Sequence, residues 1–206
     1  MSLGQRETLM AAGTFRAVGD ALTELIIERA VAAFARISSE EAAQTYAVSF
    51  WVNDEEDDPR VPVLTIGTNT EAQFRASVAN ADDDAEARWN FAFWLQNELA
   101  VVGGPADHAG RAIVDALFAT LGLHLAEDDF SPASEAVSDR MTTAFVSCCV
   151  DAARRLHEEG ALHASFGRDL PVLVHELEYY DAIIEQNSRC NPPHLIAGFK
   201  RWIESM

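Results

Sequence analysis

The carboxylates near the end of the chain have the spacing that most resembles a catalytic arrangement. Glu176 and Glu178 stand two residues apart in a segment predicted to be a strand, so both side chains would project from one face, about 7 Å apart. This separation lies within the range of the paired carboxylates that catalyse inverting glycoside hydrolysis. Together with Asp181, which follows at the predicted turn, the pair indicates a hydrolase or a lyase. The same pattern is also typical of a polar strand end that faces solvent or pairs with arginine.

Aromatic residues are the second candidate for a binding site. Trp89 and Trp94 lie five residues apart, and Tyr179 directly follows the glutamate pair. Tryptophan and tyrosine are common at binding surfaces because each combines a large apolar ring with one polar atom. The same residues at helix and strand positions are equally typical of a core. A role in lining a ligand groove and a role in packing therefore both stay open for these three side chains.

The cysteines and histidines lack the spacing of a nucleophile or a metal site. Cys148 and Cys149 lie on a predicted helix, and the nearest histidine, His157, is too far along that helix to share a hydrogen bond. The six histidines include no His-x-x-x-His pair, and no glycine motif for phosphate or nucleophilic serine is present. We therefore predict no cofactor, no metal and buried free thiols. His175 is predicted to be a half-buried residue with satisfied hydrogen bonds.

The charge of the chain restricts its partners. With 33 acidic and 15 basic residues among 206, the net charge is −18. This balance argues against sequence-independent binding to nucleic acid, because such binding needs clustered lysine and arginine. Acidic clusters at residues 54–58 and 82–86 favour a non-enzymatic binding protein whose acidic surface meets a basic protein partner. Solubility, or adaptation to the host cell, explains the same charge without a partner.

The chain start and the absence of long apolar runs predict the compartment. Residues 1–16 contain no long apolar run of the kind found in a secretory signal. No segment approaches the ~18 uncharged apolar residues that a membrane span requires. We therefore expect a cytoplasmic protein that does not contact a membrane. The sequence makes no prediction of its oligomeric state.

Hydrophobic periodicity predicts one α+β domain over residues 1–206, with a small antiparallel or mixed sheet of three or four strands flanked by several helices. Residues 1–19 are predicted to be either helical or partly mobile. The predicted strands cover residues 46–52, 61–66 and 170–179. The predicted helices cover residues 20–37, a short segment after Thr70, a segment after Asn90, a segment after Asp107, and residues 132–159, 180–188 and 194–203.

Local signals refine this prediction between the second strand and the middle of the chain. Gly67 is expected to end the second strand, and residues 82–86 are expected to form a solvated loop. Asn90 is expected to cap a helix whose apolar face carries Phe91, Leu95, Leu99 and Val102. Trp89 would then pack on Trp94 as a hydrophobic staple at the start of that helix.

Several short motifs resemble one bacterial protein family, called domain of unknown function 4303. The similarity runs over about residues 46–202, and the spaced tryptophans at 89 and 94 are its most specific part, although Phe91 and Phe93 stand where the family has proline and glutamate. The resemblance implies an α+β fold and no catalytic residue. By analogy alone, such proteins are similar in style to small immunity and interaction proteins of bacterial conflict systems. The motifs lie at residues 46–51, 69–71, 88–94, 176–179 and 191–192.

Overall fold

The computed structural model describes residues 3–126, 131–176, 179 and 182–206, with residues 3–16 described by their backbone alone. In this part of the chain one four-stranded sheet has helices packed on both faces, which confirms the predicted α+β class. The helices are α1 (Leu3–Phe34), α2 (Ser39–Gln44), α3 (Glu71–Ser77), α4 (Asp84–Trp89), α5 (His108–Thr120), α6 (Pro132–Glu158), α7 (Ala161–Phe166), α8 (Ala182–Cys190) and α9 (Ala197–Ile203). The strands are β1 (Thr45–Asp54), β2 (Pro62–Thr70), β3 (Ala100–Val102) and β4 (Val172–His175), in the spatial order β3-β2-β1-β4.

The larger core lies on one face of the sheet, where alternate residues of the strands meet α1, α5 and α6. Val48 and Phe50 of β1 point into this core because successive side chains of a strand face opposite sides. Leu22, Ile26 and Ala30 of α1 recur every four residues and bury the facing stripe of that helix. The predicted long helices in these regions are thereby confirmed. None of the described helices combines the length and the apolar character that crossing a bilayer demands.

The first two predicted strands are confirmed and pair as a hairpin, but the second strand is longer than expected. β1 and β2 pair antiparallel with Phe50 opposite Ile66. β2 passes through Gly67, the predicted end, and continues to Thr70. A side chain at position 67 would place its Cβ only 2.6 Å from the backbone oxygen of Asn97. Glycine is therefore needed here for the close approach of a neighbouring segment and does not end the strand.

The segment between α3 and β3 differs most from the prediction. Residues 82–86 do not form a loop throughout, because Asp83 caps α4 by accepting from the backbone N–H of Glu86. Asn90 does cap a helix, but only a single 3-10 turn over Phe91–Phe93. The chain then becomes extended and forms β3, where Leu99 donates its backbone N–H to Ile66 at 2.9 Å. The spacing of the apolar residues is typical of a helix, but this segment instead pairs with the otherwise open edge of β2 and forms a strand.

The free edge of β4 is closed by two asparagine side chains. β4 pairs in parallel with β1 on one side and faces α8 on the other. The Asn187 amide accepts from the backbone N–H of Val174 at 2.9 Å and donates to its carbonyl at 3.0 Å. The Asn191 amide does the same for Val172, with both distances 2.8 Å. Two amides four residues apart thus replace the backbone of a missing strand, which satisfies a buried sheet edge.

The predicted strand over residues 170–179 is shorter in the structure, where β4 ends at His175. Its pairing with β1 stops at the register of Trp51 and His175. Beyond that point the carbonyl of Glu176 accepts from the ring of His175 and takes no part in the ladder. Glu178 and Asp181 lie outside the described residues.

Asn191→Asp should lower the free energy of unfolding by about 2–3 kcal/mol, because a carboxylate can still accept from Val172 but cannot donate to its buried carbonyl. Urea unfolding of the variant measures this loss. The matched control is Asn80→Asp, the same change at an exposed position, which should shift the value by less than about 0.5 kcal/mol. Equal effects of the two substitutions would contradict the proposed edge closure.

Candidate functional site

An aromatic cluster covers the second face of the sheet and contains both candidate tryptophans. Trp89 and Trp94 pack on Tyr46 of β1, with ring centroids 6.3 and 5.9 Å from the tyrosine ring. They are 9% and 5% exposed, so they belong to a core and their faces are covered. The expected staple, in which Trp89 packs on Trp94 at a helix start, is replaced by this shared contact with Tyr46. The cluster consists of Tyr46, Trp89, Phe91, Trp94, Tyr179, Phe199 and Trp202.

Polar atoms within the aromatic cluster bond to one another. The Tyr46 hydroxyl donates to the carbonyl of Arg88 at 2.6 Å and accepts from the amide of Asn69 at 2.8 Å. The Trp94 indole N–H donates to the same carbonyl at 2.9 Å. Burial raises the pKa of Tyr46 well above its ordinary value, so the phenol stays protonated. These groups hold the segment after α4 against the sheet.

The guanidinium of Arg88 closes the outer side of this contact. It lies over the rings of Tyr46 and Phe74, 4.5 and 4.2 Å from their centroids. It also donates to both carboxylate oxygens of Glu71, at 3.1 and 2.9 Å. The charge of Arg88 is therefore neutralised within the molecule, by stacking on two aromatic rings and by a bidentate ion pair with Glu71.

Tyr179, the third aromatic candidate, links the C-terminal region to the same segment. Its hydroxyl accepts from the backbone N–H of Phe91 at 2.9 Å and donates to the carbonyl of Trp89 at 3.3 Å. Burial raises the pKa of Tyr179 to about 12. The phenol is thus held by the backbone on both sides and is poorly suited to proton transfer at neutral pH.

His175 forms a buried pair with Ser49 that sequence inspection missed. The Nε2 of His175 lies 2.8 Å from the Ser49 hydroxyl, and its Nδ1 lies 3.0 Å from the carbonyl of Glu176. A carbonyl can only accept, so Nδ1 carries the proton and Nε2 accepts from the serine. Burial lowers the pKa of His175 to about 4, which keeps the ring neutral. The predicted satisfied histidine is confirmed, although its burial is complete.

The Ser49–His175 pair resembles the nucleophile and base of a hydrolase in distance alone. Both side chains are 2% exposed, and neither lines a groove formed by the described residues. A nucleophile must reach a substrate, so the pair acts as a hydrogen bond between the neighbouring strands β1 and β4. The two residues are 126 positions apart, and no sequence motif joins them.

The cysteines are buried free thiols, as predicted. Burial raises the pKa of Cys148 to about 12 and that of Cys149 well above its ordinary value. Both side chains therefore remain thiols, which are weak nucleophiles at neutral pH. Within the described residues, no group of three or more histidine, cysteine or carboxylate side chains is arranged to hold a metal ion.

An acidic groove of 350 Å³ opens where β1 leaves the sheet. Three carboxylates line it, those of Asp54, Asp57 and Glu176. Burial raises the pKa of Asp54, and the negative charges of Glu176 and its acidic neighbours add to this shift. The remaining lining consists of Trp51, Val52, Asn53 and Thr142.

Two residues that line the acidic groove each have a polar atom that is enclosed without a hydrogen bond. Trp51 Nε1 and Asn53 Oδ1 are shielded from solvent and have no partner among the described residues. Buried polar atoms without partners destabilise a fold, so such atoms often mark a place that a ligand completes. A donor and an acceptor therefore accompany the three carboxylates. Glu176 also lines a neighbouring groove of 300 Å³ between α6 and α8, together with Glu185 and Arg189.

Comparison with known proteins adds no relative to this picture. No protein-family profile matches the chain, and searches of characterised proteins and of solved structures find no match either. The resemblance to domain of unknown function 4303 therefore stays a prediction. Function has to be argued from the chemistry of the acidic groove and its surroundings.

Trp94→Ala should lower the free energy of unfolding by about 3–5 kcal/mol, because it empties a buried aromatic site and removes a hydrogen bond. Thermal and urea unfolding measure the loss. The control Leu95→Ala changes the neighbouring residue, which is 41% exposed, and should cost far less. A stable Trp94→Ala protein that has lost binding would instead support a ligand-lining role.

Stability should fall as the pH drops from about 6.5 towards about 4, because His175 titrates at a lower pKa when folded than its ordinary 6.5. The unfolded chain then binds the proton more tightly, and the free energy of unfolding decreases by up to about 3 kcal/mol. Urea unfolding across this pH range should show the decrease in the native protein. His175→Gln should remove the part of the decrease that comes from titration of His175.

Carboxylates titrate in the same window, so the difference between native protein and variant is the quantity of interest. His108→Gln, at an exposed histidine, provides the matched control and should retain the native pH dependence. An identical pH dependence in His175→Gln would show that the ring is not held neutral by burial.

Proposed function

We propose that the protein is a non-enzymatic binding protein whose acidic groove receives a basic side chain of a partner protein. The observation that carries the proposal is the combination of three carboxylates with an unused donor and an unused acceptor in one groove. A guanidinium matches this set because it offers five N–H donors in one plane and pairs with carboxylates through two bonds.

Two of the three carboxylates in the groove have no salt bridge within the described part of the chain. Among the described residues, no salt bridge reaches Asp54 or Asp57. The neighbouring Asp58 differs, because Arg60 binds its carboxylate at 2.7 Å. A chain with a net charge of −18 also attracts basic partners over distance and speeds their encounter. The groove and the overall charge therefore favour the same kind of partner.

Partial burial makes the groove selective. Asp54 is half-buried, and its raised pKa shows that its negative charge is poorly solvated there. A cation that enters the groove stabilises this charge and offsets the repulsion from Glu176 and Asp57. Small ions in solution are strongly hydrated, whereas a guanidinium is weakly hydrated and gives up water more easily. Arginine is therefore the favoured group.

A hydrolase or lyase that uses Glu176, Glu178 and Asp181 is the second candidate. Its supporting observation is that Glu176 lines two adjoining grooves, beside an Asp54 whose pKa is raised. A carboxyl whose pKa is raised, beside another carboxylate, resembles the arrangement of a general acid and its partner. The aromatic residues do not contribute to such a site, because Trp89 and Trp94 are packed in the core.

The double variant Asp54→Asn with Asp57→Asn should weaken binding of a fluorescent arginine-rich peptide by at least about tenfold, since it removes two of the three carboxylates of the groove. Fluorescence anisotropy at fixed ionic strength measures the dissociation constant. The matched control, Asp82→Asn with Asp84→Asn, makes the same change of charge at exposed positions in α4 and just before it.

The control should change the dissociation constant by less than about twofold. Equal weakening by both double variants would show that only the overall charge attracts the peptide. Tight binding that persists in the groove variant would contradict the proposal outright.

A further inference from the structure

A second cleft, of 330 Å³, lies where the end of α8 meets α9. Pro193, Ile196 and Ala197 provide its apolar surface, and Lys200 and Arg201 provide two positive charges. Ser188 and Glu204 complete the lining. The volume is at the lower end of the ~300–1,000 Å³ typical of small-molecule sites, so any ligand is small.

The charge of this cleft is opposite to that of three other grooves formed by the described residues. The acidic groove is lined by three carboxylates, and the groove between α6 and α8 by two carboxylates and one arginine. A further groove between α1 and α6 has three aspartates and two arginines. The cleft beside α9 has two cations and one carboxylate, in a chain of net charge −18. It is therefore suited to an anion where those grooves are not.

The two cations are not used by the protein's own carboxylates. Lys200 is the single lysine of the chain and is half-buried, while Arg201 is exposed. Within the described part of the chain, no carboxylate forms a salt bridge with either side chain, although Glu204 lines the same cleft. Some other arginines are paired, as Arg88 is with Glu71, whereas exposed arginines such as Arg75 and Arg140 also form no salt bridge among the described residues. Lys200 and Arg201 differ from these because the two cations line one cleft together with apolar residues.

A helix end accounts for part of this arrangement. Lys200 and Arg201 lie in the last turn of α9, where the free carbonyls favour positive charge. This effect explains a gain in stability from the two cations. It does not explain the adjoining apolar cleft, so a test has to separate stability from binding.

We propose that the cleft binds a small apolar carboxylate, such as a medium-chain fatty acid. The acyl chain would contact Pro193, Ile196 and Ala197, and the carboxylate would meet Lys200 and Arg201. The Ser188 hydroxyl donates to the carbonyl of Ile184 at 2.6 Å and is therefore already engaged. None of these residues lines the acidic groove, so the two sites are independent of each other.

Isothermal titration of the full chain with octanoate tests the proposal directly. Octanoate should bind, while octylamine and 1-octanol, with the same alkyl chain, should bind at least about tenfold more weakly because they lack the anion. Equal affinity for octanoate and 1-octanol would overturn the proposal, since it would show an apolar cleft without recognition of the carboxylate. An absence of binding at millimolar octanoate would overturn it as well.

Two variants locate the site and separate its two parts. Lys200→Gln with Arg201→Gln should weaken octanoate binding by at least about tenfold. Ala197→Leu keeps both cations but narrows the cleft, and it should weaken binding to a similar extent. The matched control, Arg75→Gln with Arg140→Gln, removes the same charge at exposed positions and should leave the affinity unchanged.

Melting temperatures of all variants distinguish binding from helix stabilisation. A lower melting temperature with unchanged octanoate affinity in Lys200→Gln/Arg201→Gln would show that the cations serve only the end of α9, and would overturn the proposal. An unchanged octanoate affinity in Ala197→Leu would show that octanoate does not bind in this cleft, and would also overturn the proposal.

Discussion

Burial of β1 on both faces and pairing on both edges is the constraint on which the rest of the structure depends. Its alternate side chains enter two cores, with Phe50 in the core of the long helices and the following Trp51 packed against the aromatic cluster. Tyr46 also enters the aromatic cluster because the register of β1 is irregular between Thr45 and Ala47. β2 and β4 occupy its two edges, but β4 pairs only as far as Trp51. The last residues of β1, including Asn53 and Asp54, therefore extend past the end of β4. The acidic groove lies at this step in the sheet.

Close packing in the aromatic cluster and unpaired carboxylates in the acidic groove separate these two regions. In the cluster, the carbonyl of Arg88 accepts from both Tyr46 and Trp94, and the packing is so close that a Cβ at Gly198 would lie 2.9 Å from the Trp89 ring. Such close packing leaves no room for a ligand, although Asn69 Oδ1, beside Tyr46, also has no hydrogen-bond partner among the described residues. In the groove, a donor and an acceptor are shielded yet unused, and two carboxylates have no ion pair among the described residues. Unpaired carboxylates in an open groove, more than aromatic content, therefore support the site that we propose for a partner.

Much of the fold follows from sequence patterns that are local. The apolar residues of α1 recur over several helical turns, and those of β1 alternate along the strand. Ser131 as the N-cap, followed by Pro132, marks the start of α6. Prediction fails where the structure of a segment depends on a partner that is distant in sequence. After Asn90 the apolar residues have helical spacing, but the segment pairs with the edge of β2 and becomes the strand β3. The same limit applies to the site. Trp89 and Trp94 are residue types that are common at binding surfaces. In the structure both rings pack on Tyr46, which is distant in sequence, and they therefore belong to the core.

Closure of the sheet edge links the C-terminal helices to both surface features. Asn187 and Asn191 bind β4, and this fixes α8 against the strand that leads to Glu176. The same helix contributes Glu185 to the groove beside Glu176 and, near its other end, Ser188 to the cleft beside α9. Because each amide both donates and accepts, α8 cannot shift along β4 without breaking several buried hydrogen bonds. The groove between α6 and α8 and the cleft beside α9 therefore share a rigid support in α8, and the strand that this helix fixes leads to Glu176 of the acidic groove.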